Sequence, residues 1–324
     1  MRVTKEMHRK ELQQGYWMMK VLSRLLMNRI GVRLLNSNSA RSKGKNIEGL
    51  QCEQKFLASR NGGPRIRVRI FKPLDQSREL PGMLYIHGGG LVLGTPEDYL
   101  DIVKRYIEAS PCVIVAPDYR KAFDAPYPAA FNDCYDTLLW MDANAQKLNI
   151  IPDKLIVAGH SAGGGIAAAV TQKATDTHDV NIAFQVPVYP MLDDRQNTES
   201  AKDNNSPGWN SRSNELGWSA YLRDIRQNGD DVPVYAAPAR ATGYSGLPPA
   251  ITFVGDLEPF RDETIAYVEN MKRADVPVRF KLFEGCYHAF DVLFPDLEVS
   301  KKAWSFLLDS YKEYVAKYIY NDSK

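Results

Sequence analysis

Leu155-Ile156-Val157-Ala158-Gly159-His160-Ser161-Ala162-Gly163-Gly164 decides the fold of this chain. Four apolar residues read as a buried strand, and the Ala/Ile/Val-rich run from Gly164 to Ala174 reads as a helix. Between them sits a serine flanked at two-residue spacing by Gly159 and Gly163. A serine in so sharp a strand-to-helix turn is strained and lifted clear of the sheet, and small residues are needed where the two backbones pass close. The N-terminus of the following helix favours negative charge developing beside it. A bare G-x-S-x-G arises often by chance; standing between the right strand and the right helix, it points to a nucleophile.

Outward from this turn, short apolar runs alternate with helical patterns. The runs are Met83–Ile86, Val113–Ala116, Leu155–Ala158, Ile182–Val188, Ile251–Val254 and Val278–Phe283. Helical stretches fall near Tyr99–Ala109, Ala130–Asn149, Gly164–Ala174 and Arg261–Ala274, and Trp304, Leu307, Leu308, Tyr311 and Val315 continue the pattern. This alternation predicts crossover units on a mostly parallel sheet, an α/β class. Two further β-rich stretches precede it, Cys52–Ala58 and Ile66–Phe71. In the second, Arg65, Arg67 and Arg69 alternate with Ile66, Val68 and Ile70, which predicts one wet face near a sheet edge. From Pro190 to Gly246 the chain is polar and irregular, and roughly 55 residues without a strand pattern inside an α/β body read as a lid or cap. The expected organisation is an N-terminal helical cap segment (1–50), a first core part (51–190), a cap insertion (191–246) and a second core part (247–324).

At 324 residues, 44% hydrophobic and 25% charged, the chain has ordinary globular composition, which excludes disorder, coiled coil and collagen. Its four cysteines, Cys52, Cys112, Cys134 and Cys286, are scattered and form no C-x-x-C pair, which argues against a structural zinc site and suits a reducing compartment. Net charge is only +2, yet residues 1–50 hold 11 Lys/Arg against 3 Asp/Glu. In that segment Val21, Leu22, Leu25 and Leu26 fall at helical spacing opposite Lys20, Ser23 and Arg24, so an amphipathic helix packing its apolar face on the body is expected; membrane-surface contact or targeting is the alternative. Glu6 and Glu11 interrupt the basic run and no signal-peptide-like apolar stretch follows, so a cytoplasmic location is expected. No run is long enough to span a membrane.

A serine nucleophile needs an oxyanion site and a base. His87-Gly88-Gly89-Gly90 follows the strand Met83–Ile86, and successive glycines let main-chain N–H groups crowd one point; the Gly88 and Gly89 amides, with that of Ala162, are the candidate donors. The run lacks both the Lys-Ser/Thr ending of a P-loop and the spacing of a dinucleotide fold. Of five histidines, His8 lies in the N-terminal arm and His178 in a polar loop. His87 is better placed to hold the glycine loop, and His160 should point away from its neighbour Ser161. His288 remains, in the loop after the strand ending at Phe283, where a parallel strand presents a catalytic residue. The orienting acid should lie between serine and histidine in the chain; after Ile251–Val254, Asp256, Glu258 and Asp262 all qualify.

Together these pieces resemble the hormone-sensitive-lipase-like (HSL) family of α/β-hydrolase carboxylesterases, from about Leu80 onward. The resemblance is carried by His87–Gly90 and Gly159–Gly163, by Asp118-Tyr119-Arg120 followed by Pro126-Tyr127-Pro128-Ala129-Ala130, and by the segments Tyr189–Arg195 and Asn214–Tyr221. Aligned on Pro259-Phe260-Arg261-Asp262-Glu263, the family's usual aspartate falls on Glu258, with Asp256 in reserve. His160 and Ala289 also depart from the family, the latter replacing a common glycine. The resemblance implies an α/β-hydrolase fold with a helical cap, a Ser161–His288–Glu258 triad, and hydrolysis of short to medium acyl esters through an acyl-enzyme, with no cofactor and no metal. Trp17, Trp209, Trp218 and Tyr221 are candidate substrate-lining residues. The expected partner is a small-molecule ester, with no nucleic acid and no stable membrane insertion; a homodimer is left open. Rival readings are an amidase, lactonase or carbamate hydrolase on the same triad, a lipid-surface lipase, and a ligand-binding protein on the same scaffold.

Overall fold

A computed structural model describes residues 1–321; residues 322–324, the end of the second core part, lie outside the described residues. The eight apolar stretches become strands β1 (Leu50–Leu57), β2 (Ile66–Pro73), β3 (Leu80–Ile86), β4 (Val113–Pro117), β5 (Ile150–His160), β6 (Ile182–Val188), β7 (Ala250–Gly255) and β8 (Val278–Phe283). They form one sheet in the order β1-β2-β4-β3-β5-β6-β7-β8. β1 and the β2–β4 pairing are antiparallel, and every other pairing is parallel. Central strands are apolar throughout because both faces are covered: Val113 and Val115 of β4 enter one hydrophobic cluster, while Ile114 and Ala116 enter the other.

The helices are α1 (Tyr16–Leu26), α2 (Arg29–Ala40), α3 (Leu100–Ala109), α4 (Ala129–Ala143), α5 (Ala145–Leu148), α6 (Ala162–Thr177), α7 (Ser211–Tyr221), α8 (Arg223–Asn228), α9 (Arg261–Arg273), α10 (Phe290–Leu293) and α11 (Glu298–Tyr314). α4 and α6 supply Phe131, Leu138 and Ile166 to one cluster; α3 and α11 supply Val103, Tyr106, Trp304 and Leu307 to the other. The fold is therefore three layers, helix on sheet on helix. β3, β5, β7 and β8 run parallel, so the loops after all four open on the same edge of the sheet, and the candidate oxyanion glycines, serine, acid and histidine each follow one of them.

Two expectations need correction. The arginine face of β2 is not wet: Arg69 is buried, and the short 3-10 turn Pro96–Tyr99 lowers Glu97 onto it, where Arg67 and Arg69 each donate to that carboxylate at 2.8 Å. Burial alone would raise the Glu97 carboxyl, but the hydrogen bonds from Arg67 and the Gly44 N–H hold it down at about 2. β2 does stand near the sheet edge, as the second strand behind β1. The N-terminal helix α1 forms, but most of its expected apolar face is turned outward, while Leu26 is half-buried and Arg24 stays exposed. Val21, Leu22 and Leu25 are 40–64% exposed, whereas Tyr16 and Ser23 are buried. Its inner side is held by other contacts: the Tyr16 hydroxyl donates to the Val3 carbonyl (3.3 Å) and its ring packs edge-on against His8 at 5.1 Å, both within the N-terminal segment, while Gly15 lies against Phe294 of the body.

Candidate active site

Ser161 occupies the turn between β5 and α6 with φ 59° and ψ −122°, a conformation that costs an L-residue about 1–3 kcal/mol. The surroundings over-determine it. Its N–H donates to Val188 O (3.0 Å), and its own carbonyl accepts from Gly165 (3.0 Å) and Met191 (3.1 Å). The flanking glycines are required by close approach: a Cβ on Gly159 would sit 2.3 Å from Gly163 O, and one on Gly163 2.1 Å from Ile86 O.

The loops after β7 and β8 are laced together, since Asp256 N donates to Phe283 O (3.1 Å) and Leu257 N to Cys286 O (3.0 Å). This lacing brings Glu258 beneath His288. His288 Nε2 lies 2.8 Å from Ser161 Oγ, and its Nδ1 is hydrogen-bonded to Glu258 Oε2. The other carboxylate oxygen, Oε1, accepts from Gly255 N at 2.8 Å. Serine and histidine are at most 7% exposed, and Glu258 is fully buried. The imidazole is walled edge-to-face by Tyr189 (4.8 Å) and Phe260 (4.9 Å). Of the other two acids, Asp256 Oδ1 accepts from Cys286 N (3.2 Å), and Asp262 accepts from Ser200 N and Arg261 Nε (2.7 Å each); both are bound elsewhere.

The remaining histidines have other partners. His87 donates from Nδ1 to Gly88 O (2.7 Å), accepts from Lys121 at Nε2 (3.2 Å) and stacks on Tyr119 at 4.2 Å. Burial, with the Lys121 ammonium adding to it, pushes its pKa down to about 3. The His160 ring turns under the sheet edge among Tyr85, Tyr189 and Trp304, with Nδ1 3.0 Å from Tyr85 Oη; burial lowers its pKa to about 3 as well. His8 is hydrogen-bonded to Thr4 O at 2.9 Å, and His178 caps the end of α6 in a left-handed conformation.

Gly88 and Gly89 lie in the loop over the serine: a Cβ on Gly88 would come 3.3 Å from Ser161 Cβ, and Gly89 has φ 118°. Ala162 is the first residue of α6, so its N–H has no intrahelical acceptor. A cavity of about 200 Å³ opens above Ser161 and His288, lined among others by Met19, Leu93, Tyr99, Trp209, Val292 and Leu293. Trp209 closes one side, its ring resting where a Cβ on Gly90 would be. Of the four aromatic candidates, only Trp209 lines this cavity. Trp218 and Tyr221 face a much smaller void behind Ala162, and Trp17 is 62% exposed because the opposite side of α1 faces the protein. Tyr99, Tyr189, Met19 and the α10 pair Val292–Leu293 were not singled out in the sequence. Tyr189, immediately after β6, had a positional signal; the others are brought in by tertiary packing. Among the described residues no group of three or more His, Cys, Asp or Glu side chains is arranged to hold a metal ion.

A nucleophile elbow after the fifth strand of a mostly parallel sheet, with histidine and acid on later strand ends, defines an α/β-hydrolase. The profile of the family described as "alpha/beta hydrolase fold" matches residues 83–292, and the chain belongs to that family, in its hormone-sensitive-lipase-like carboxylesterase branch. It is 32% identical to Esterase LipI of Mycobacterium tuberculosis over 231 residues, 70% of this chain and 71% of that one. It is 31% identical to an Arylesterase of Saccharolobus solfataricus over 233 residues, 69% and 72% of the two chains. The solved structure of Bacterial Heroin Esterase superposes with a TM-score of 0.85 at 30% identity, covering 96% of this chain and 99% of that one.

Proposed function

We propose that this chain hydrolyses carboxylic esters of short to medium acyl chain through a Ser161–His288–Glu258 triad. The observation that carries the reading is the continuous hydrogen-bonded relay Glu258–His288–Ser161 at the floor of an apolar cavity. Ser161 Oγ attacks the ester carbonyl carbon while His288 Nε2 takes its proton. Glu258 holds the imidazole in the tautomer that leaves Nε2 free to accept, and it stabilises the imidazolium that forms. The amides of Gly88, Gly89 and Ala162 donate to the oxyanion, each such donor typically being worth about 10²–10³ in rate. His288 then protonates the departing alcohol, and water, deprotonated by the same nitrogen, releases the acid from the acyl-serine.

The short-to-medium preference is supported by size and by lining. A cavity of about 200 Å³ falls below the roughly 300–1,000 Å³ that encloses drug-sized ligands. Apart from His288 its walls carry no ionisable acid or base outside the buried Tyr and His side chains, which favours neutral esters.

The test is hydrolysis of a p-nitrophenyl ester series from acetate to palmitate by wild type and Ser161→Ala. Turnover confined to the shorter chains, and reduced by several orders of magnitude in the variant, is the expected result. A folded wild-type protein inactive across the series would move the substrate to an amide, lactone or carbamate; undiminished activity in Ser161→Ala would end the serine mechanism altogether.

A further inference from the structure

The outward face of α1 leaves an apolar surface that is exposed among the described residues. Trp17, Met18, Val21, Leu22 and Leu25 of α1 are 40–64% exposed, and Ile30 and Leu34 of α2 are 74% and 65% exposed. An amphipathic helix of a globular protein normally turns such residues inward, and a contiguous exposed apolar patch of this kind marks an interaction surface. The helix that carries the patch also contributes to the active-site cavity, from its other side. Met19, on the inner side of α1, lines that cavity, and Met19 Cε and Leu293 Cδ1 would both lie within 4.0 Å of a Cβ on Gly208; Leu293 is itself 40% exposed.

Charge identifies what covers the patch. From Leu12 to Ile47 the chain contains no Asp or Glu, while Lys20, Arg24, Arg29 and Arg33 fall within or beside α1 and α2. Among the described residues none of these four forms an ion pair with a carboxylate; Lys20 instead hydrogen-bonds the Tyr16 hydroxyl, and Arg29 lies over the Phe123 ring. A second copy of the chain is a poor occupant: pairing this face with itself would bring eight cations together with no acid in the segment to neutralise them. Exposed Trp and Leu side chains bordered by Lys and Arg are instead the signature of a helix lying in the plane of a lipid interface, where cations meet anionic headgroups.

We propose that α1 and α2 form a docking face for an anionic lipid surface. It binds reversibly and peripherally, since no helix among the described residues is long and apolar enough to cross a membrane. The apolar side chains enter the headgroup–acyl boundary while Lys20, Arg24, Arg29 and Arg33 contact phosphates. Binding of the surface does not itself depend on the ester-hydrolysis reading.

The experiment is co-sedimentation of the full chain with vesicles of phosphatidylcholine alone or of phosphatidylcholine and phosphatidylglycerol in equal parts. It uses wild type, Leu25→Gln/Ile30→Gln/Leu34→Gln and Arg24→Gln/Arg33→Gln. All five positions lie outside the cavity lining, so p-nitrophenyl butyrate hydrolysis by both variants should match wild type and certify their folding. Wild type should bind the anionic vesicles at least tenfold more tightly than the neutral ones. The triple variant should lose more than tenfold, and the double variant about 25-fold, near fivefold per cation. Raising salt from about 0.1 M to about 1 M, which shortens the Debye length from about 10 Å to about 3 Å, should weaken binding. Equal binding to both vesicle types, or a triple variant that binds like wild type, overturns the proposal. So does a wild-type dimer in sedimentation analysis that dissociates in the triple variant while no vesicle binds, which would assign the face to a second copy.

Discussion

Replacing Glu258 by Gln should abolish most of the activity without disturbing the fold, and the geometry says why. Glu258 Oε1 accepts from the Gly255 N–H at 2.8 Å, while Oε2 faces His288 Nδ1. A glutamine has one acceptor and one NH₂. Gly255 can only donate, so the carbonyl oxygen of the amide is kept on its side and the NH₂ is forced toward His288. Nδ1 must then become the acceptor, the imidazole proton moves to Nε2, and Nε2 can no longer take the proton of Ser161, 2.8 Å away. Glu258 is fully buried and His288 is 6% exposed, so bulk water does not substitute for the lost carboxylate. The equivalent wrong-tautomer change in a buried serine triad costs about 10⁴ in kcat, or about 5.5 kcal/mol of barrier. Glu258→Asp retains the charge but withdraws it by one C–C bond, about 1.5 Å. One of the two partners is then out of hydrogen-bonding range, and a misplacement of that size costs about 10²-fold. Asp256→Asn is the control, because Asp256 accepts only from loop amides such as Cys286 N at 3.2 Å. Initial rates on p-nitrophenyl butyrate, with circular dichroism to verify folding, should rank wild type close to Asp256→Asn, then Glu258→Asp, then Glu258→Gln. A Glu258→Gln enzyme within tenfold of wild type, or an Asp256→Asn enzyme as impaired as Glu258→Gln, would refute the reasoning.

Two predictions concern the short segment after His288. Ala289 has φ 59°, a left-handed conformation that costs a residue with a Cβ about 1–2 kcal/mol; Ala289→Gly should therefore raise the unfolding free energy by about 1 kcal/mol in denaturant titration, and an unchanged or lower midpoint would count against the assigned backbone. The Asp291 carboxyl is fully buried, and burial pushes its pKa up to about 7. Because the folded value lies above the unfolded one, the unfolded chain releases its proton first as pH rises, so stability falls between about pH 4 and pH 7 and the penalty is complete above that, at about 4 kcal/mol. Asp291→Asn should remove that slope and be a few kcal/mol more stable at alkaline pH; parallel pH–stability curves for the two proteins would disprove it.

How much of this was legible in the sequence depends on what each feature rests on. Strands β3 to β7 were readable because parallel strands buried on both faces are apolar throughout, and Ile182–Val188 and Val278–Phe283 emerge with the limits the pattern suggested. Ser161 and its glycines were readable because backbone sterics at an elbow leave few residue choices: a Cβ on Gly163 would strike Ile86 O at 2.1 Å. Choosing among Asp256, Glu258 and Asp262 was beyond the residues themselves. All three stand within seven positions of one another, and their separate partners arise only when the loops after β7 and β8 are laced together. Periodicity failed differently in two places. In β2 it recorded the alternation of Arg67 and Arg69 with Val68 and Ile70 correctly, but it carries no information on a carboxylate arriving from another loop; Glu97 turned a predicted wet face into a buried one. In α1 it again found the apolar face, and assumed that an apolar face seeks the core. The residues turned inward are instead Tyr16, Met19 and Ser23, through a ring contact with His8 of the N-terminal arm, a cavity wall and a buried hydroxyl. A hydrophobic pattern specifies that a face avoids water, not what it meets. When the core is already filled by β-strands and by α3, α4, α6 and α11, a second apolar surface is left over, and in this chain that surface is bordered by cations and lies on the helix whose other side lends Met19 to the cavity that holds Ser161.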